Sequence, residues 1–100
     1  MTFRVELTAR AAADLRRLFH SINGSDSLAA RHWFNGLEAA ILGLSEFPAR
    51  HPATPENPTL RHLLYPSQSY VYRIIFTLDE ANSLVKVLHI RHGSQKPLRR

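Results

Sequence analysis

Arg61, Arg73, His89 and Arg91 are of the residue types that handle an anion. Arginine suits phosphate because its planar guanidinium donates two parallel hydrogen bonds. Histidine titrates near neutral pH and can take or give a proton. Such a set could cleave RNA without a metal: a base activates the 2′-hydroxyl, and arginines stabilise the added negative charge of the transition state. The plainer alternative is a solvated basic sheet face with no chemistry, and residue types alone leave both open.

Spacing says how these side chains could meet. Strand side chains alternate between faces. Val71, Arg73 and Ile75 therefore share one face, and Tyr70, Tyr72, Ile74 and Phe76 the other. The same alternation groups Val85, Val87, His89 and Arg91 on the last strand. If helices cover the aromatic face, Arg73, His89 and Arg91 converge on the open one, joined by Arg61 from the neighbouring strand.

Other chemistries find little support. No pair among the six histidines stands at metal-ligand spacing with carboxylates beside it. His89 and His92 are three apart, which in a strand sets them on opposite faces; His20, His32 and His51 read as surface residues. Four glycines form no phosphate-cradling loop, and a serine nucleophile motif is absent. No metal or cofactor is expected. The chain has no cysteine, which excludes disulfides and agrees with a cytoplasmic location. Residues 1–13 hold no apolar run of a secretory signal, and nothing approaches the roughly 18–20 apolar residues that span a bilayer.

The charge is lopsided. Net charge is +5, yet residues 1–60 balance six arginines against six acids. All of the excess lies in residues 61–100, where Arg61, Arg73, Lys86, Arg91, Lys96, Arg99 and Arg100 face only Asp79 and Glu80. A concentrated positive field favours nucleic acid, an acidic protein segment or another anionic surface.

The elements that must position these residues follow from periodicity. Phe3, Val5 and Leu7 alternate with Arg4 and Glu6, as in a half-buried strand. Thr8 stands where a helix N-cap is wanted. Ala11, Leu15, Leu18, Phe19 and Ile22 then mark an amphipathic helix over 9–22. Asn23-Gly24-Ser25 breaks it, and Asp26 or Ser27 caps a second helix. Its stripe runs through Ala30, Trp33, Phe34, Leu37, Ala40, Ile41, Leu44 and Phe47, and Pro48 stops it. A proline-rich loop over 48–58 leads to strands at 60–65, 70–78 and 84–91, with a hairpin turn at 79–83. The 100 residues suit one domain with a polar tail over 93–100. The expected fold is α+β, in the order β-α-α-β-β-β, with a helical hairpin packed on a small, mostly antiparallel sheet.

Five stretches carry a family resemblance: Phe3-Arg4-Val5-Glu6-Leu7-Thr8 with Ala13-Asp14-Leu15; Leu44-Ser45-Glu46-Phe47-Pro48; Leu60-Arg61-His62-Leu63; Tyr70-Val71-Tyr72-Arg73-Ile74-Ile75-Phe76; and Val87-Leu88-His89-Ile90-Arg91-His92-Gly93. In this order and spacing the chain resembles the RelE/ParE superfamily of toxins over residues 3–94. That resemblance implies the toxin of a type II toxin–antitoxin module with a cognate antitoxin partner. Two activities occur on this fold. RelE-like members cleave mRNA at the ribosome, and ParE-like members poison DNA gyrase. Arg61 and Arg73 match arginines widespread in the superfamily. The His92-Gly93 pair and the absence of any tyrosine after Tyr72 favour the ParE-like branch. A RelE-like reading would make Arg61, Arg73 and His92 catalytic. In either branch Arg61, Arg73, His89 and Arg91 are the expected contacts to antitoxin or target. A basic nucleic-acid-binding domain without toxicity is a further alternative.

Overall fold

The computed structural model describes residues 2–66 and 71–92. Strand β1 (Arg4–Leu7) leads into helix α1 (Ala9–Ser21), and helix α2 (Leu28–Leu42) packs beside it. Strands β2 (Arg61–Pro66), β3 (Val71–Asp79) and β4 (Leu84–His92) follow. The sheet order is β1-β4-β3-β2; β1 runs parallel to β4, and the other pairings are antiparallel. This is the expected α+β arrangement. Tyr70 and the tail over 93–100 lie outside the described residues.

Local chemistry sets the helix boundaries. The Thr8 hydroxyl accepts from the Ala11 amide at 3.1 Å and donates to the Leu88 carbonyl at 2.8 Å, so one side chain starts α1 and ties it to β4. Ser27 caps α2 in the same way, accepting from the Ala30 amide at 3.1 Å. Between the helices, Asn23 takes the left-handed conformation that lets the chain reverse.

The core lies between the helices and one sheet face. Ala11, Leu18, Phe34, Leu37 and Ile41 from the helices meet Tyr72, Ile74, Phe76, Val85, Val87 and Ile90. Trp33 sits at the margin of this cluster. Its ring packs on Tyr65 and Tyr72 at centroid distances of 5.3 and 5.4 Å, and its indole N–H donates to the Pro66 carbonyl at 3.0 Å. It is half-buried, not the central plug that the helical stripe implied.

The second helix ends earlier than expected. It stops at Leu42 and passes into a 3-10 turn over Gly43–Ser45. Pro48 begins another such turn, and Phe47 before it is left-handed and 70% exposed. Leu44 still reaches the core, but the stripe does not extend to Phe47.

Candidate functional site

The open sheet face is built in cross-strand rows. Leu64, Arg73 and Arg91 are in register across β2, β3 and β4, and His62, Ile75 and His89 form the next row. In antiparallel pairs such partners share a face. Arg73, His89 and Arg91 therefore do meet on the open side.

The path to that arrangement differs from simple alternation. Phe76 pairs with Val87 while Ile75 pairs with His89, so Leu88 is an extra residue opposite a register shift. Val85 and Val87 point into the core before the bulge, and Ile90 does so after it. His89 and Arg91 thus lie opposite Val85 and Val87, not beside them. Without the extra residue the two basic side chains would face the helices.

Arg61 is elsewhere. It is in register with Phe76, whose side chain is fully buried on the helix side. Its guanidinium donates to the Ala49 carbonyl at 3.1 Å and also to the His51 carbonyl. It staples β2 to the loop that follows α2. His92 likewise faces away from Arg73: it is in register with Tyr72, and the two rings meet edge-on at 5.0 Å. Arg61, Arg73 and His92 are not gathered on one face.

Arg73 is bonded through all three of its guanidinium nitrogens. Its two terminal nitrogens donate to the two Glu56 oxygens at 2.8 and 2.9 Å, and its Nε donates to His62 Nδ1 at 3.2 Å. The Arg73 side chain is only 11% exposed, against 33% for Glu56. The fork holds the Glu56 carboxyl down at about 2, chiefly through the hydrogen bonds from Arg73. Because His62 Nδ1 accepts, the neutral ring carries its proton on Nε2. Burial, then the charge of Arg73, lowers the His62 pKa. Burial and the charge of Arg10 lower that of His89, against the opposing pull of Asp14.

The loop bearing Glu56 is braced. The buried Thr54 hydroxyl donates to the Asn57 carbonyl at 2.8 Å and accepts from its amide at 3.1 Å. The Thr54 amide donates to Leu60, and His62 to Pro52, along the outer side of β2. Sequence reasoning missed both Glu56 and His62. A signal was present: Glu56 is the only acid between Glu46 and Asp79. Among the described residues no three His, Asp or Glu side chains gather as metal ligands do. The arrangement is suited to holding a planar anion, with Glu56 as the one already there.

A second surface lies on the helical hairpin. Leu7, Leu15, Ile41, Leu42 and Glu38 line an open groove of about 260 Å³. It shares Leu15 and Glu38 with a neighbouring hollow that reaches Phe19 and Phe34.

Comparison with known proteins decides the family. The family described as "ParE toxin of type II toxin-antitoxin system, parDE" matches residues 5–97. The chain belongs to the ParE toxin family. Among solved structures, this ParE-family chain is similar to one from the chromosomal ParDE system of P. aeruginosa, with 18% identity and a TM-score of 0.71 over 93% of this chain and 98% of that one. It is also similar to a mutant E. coli RelE toxin in the free state, with 16% identity and a TM-score of 0.62 over 91% and 83% of the two chains. A third is a chain of the M. tuberculosis RelBE2 toxin–antitoxin complex, with 26% identity and a TM-score of 0.59 over 92% and 99%. The first two likenesses are of fold alone. No curated protein matches the chain.

Proposed function

We propose that this ParE-family toxin arrests growth by inhibiting DNA gyrase, acts in the cytoplasm, and is neutralised by a cognate antitoxin. The observation that supports gyrase over mRNA is the separation of Arg61, Arg73 and His92. Metal-free RNA cleavage needs a base and cationic groups around one phosphate. Here one arginine is spent on loop carbonyls, one is on the open face, and the histidine is beside Tyr72 on the other. The antitoxin reading draws on the basic balance of residues 61–100 and on the apolar groove of the hairpin. An acidic segment with spaced apolar side chains would suit both surfaces.

Induced expression alone should stop growth, and co-expression of the partner should restore it. Purified protein should inhibit gyrase supercoiling and leave ribosome-bound mRNA intact. Codon-positioned cuts in primer extension on translating ribosomes would overturn the gyrase reading.

A further inference from the structure

Arg73 presents a paradox for a contact residue. It is recessed, and both terminal nitrogens are taken by Glu56 in a two-pronged pair. Such a pair has the geometry with which arginine recognises a carboxylate. The Thr54 and Pro52 hydrogen bonds brace the loop backbone, while the Glu56 carboxylate is held by Arg73 and also by the Thr54 side chain, so an incoming carboxylate has to replace both contacts while the loop remains. What it leaves is a slot for one planar carboxylate. Directly in register beside Arg73, on edge strand β2, stands Leu64, 48% exposed. His62 fixes the third nitrogen of the guanidinium and so keeps the fork aimed.

We infer that Glu56 is an internal occupant of a carboxylate receptor formed by Arg73 and His62, and that the site's external ligand is an acidic peptide side chain flanked by an apolar one that covers Leu64. This rests on the reading that the toxin has an acidic protein partner. The choice of peptide over nucleic acid follows from shape. The slot matches a flat, two-oxygen group on a short stem, and Arg73 is too recessed for a strand of phosphodiesters to lie along it. The partner's carboxylate must displace Glu56, so partner affinity is set by a competition inside the chain. An internal competitor lowers apparent affinity by the fraction of time the site is free.

The test uses the full chain and a defined probe, acetyl-Leu-Glu-Leu-Glu-Leu-amide, followed by the side-chain Nε resonance of Arg73 and by titration calorimetry. Glu56→Gln should bind the probe about tenfold or more tightly than wild type, with the Nε resonance moving on binding. Glu56→Asp, with a shorter reach, should fall between them and guards against a folding defect in the first variant. Arg73→Ala in the Glu56→Gln background should abolish binding, and Leu64→Ser should weaken it. Equal affinity for wild type and both Glu56 variants would overturn the inference. So would a short single-stranded oligonucleotide that moves the Nε resonance at lower concentration than the peptide. Growth arrest is scored separately. A harmless protein with the expected peptide series would sink the toxin reading only, and a lethal protein with a flat series would sink the receptor only.

Discussion

Asp14→Ala should destabilise this protein far more than its place on a helix surface suggests. Strand β1 ends at Leu7, opposite Val87, so beyond that point β4 has no strand on its outer side. Helix α1 takes over. The Asp14 Oδ2 accepts from the Ile90 amide at 2.9 Å, and its side chain is 10% exposed. A hydrogen bond to a charged group contributes about 1.5–3 kcal/mol, and its loss leaves a partly buried amide without its acceptor. The other Asp14 oxygen pairs with Arg17, whose side chain is 70% exposed; that pair is worth at most about 1 kcal/mol after screening. Asp14→Ala should therefore cost about 2–3 kcal/mol, and Arg17→Ala under about 1. In a domain of this size the first loss lowers the thermal midpoint by about 10–20 °C. Urea unfolding of both variants at neutral pH measures the difference, and amide exchange should show Ile90 losing protection. An Asp14→Ala variant within about 0.5 kcal/mol of wild type would refute the reasoning, as would an equal cost for Arg17→Ala.

Acid should weaken the fold in two windows. His51, His62 and His89 are all lowered from 6.5, mainly by burial, so the unfolded chain takes protons first and stability falls as pH drops below 6.5. Thermal midpoints from pH 7.5 to 5 should slope downward, and His62→Gln should flatten that slope. Glu56 titrates near 2 in place of 4.5, so its contribution is complete above 4.5 and is lost as pH falls toward 2. Wild type and Glu56→Gln should differ in thermal midpoint at pH 7 and converge across that lower window. Gly36→Ala should destabilise despite a helix preference of about 1 kcal/mol for alanine, because the new Cβ would run into the Tyr65 hydroxyl. Removing that hydroxyl with Tyr65→Phe should reverse the sign of the Gly36→Ala effect in denaturant unfolding. Trp33→Ala should cost about 2–3 kcal/mol, short of the 3–5 for a fully buried ring, and a value above 4 would show the ring to be more deeply committed than its half-burial indicates.

Helices and caps were legible because they are local. Thr8 and Ser27 cap within three residues, and the α1 stripe needs only its own period. The faces of β3 read correctly for the same reason. The bulge at Leu88 was not legible, because an extra residue is defined by the partner strand and not by the strand that contains it. Alternation therefore put His89 and Arg91 with Val85 and Val87, and reached the right open face for Arg73, His89 and Arg91 by the wrong grouping. Arg61 failed for a different reason. Its face is set by the register that pairs it with Phe76 on β3, and nothing local gives that register or says that its fork closes on backbone carbonyls of residues 49 and 51. Glu56 was hidden by its setting in a proline-rich loop, whose bracing depends on the edge of β2. Phe47 left the helical stripe because the helix has already ended at Leu42 and Glu46 is extended, a change of backbone that the apolar spacing alone does not show.

The order of strands across the sheet has a consequence for how the molecule comes into being. The strand between β1 and β3 is β4, the last of the described elements in the chain. Until it is made, β1 has no partner strand in the sheet, Thr8 lacks its Leu88 carbonyl and Asp14 lacks its Ile90 amide, contacts that join residues 80 and 76 positions apart. Closing so long a loop is entropically costly and slow compared with forming the helical hairpin. A chain that ends after β3 has only the β2–β3 ribbon for its helical hairpin to pack on. The cross-strand rows that set Arg73 beside Arg91 and Ile75 beside His89 exist only after β4 slots into the middle, so the basic face of the sheet is the last part of the molecule to be assembled.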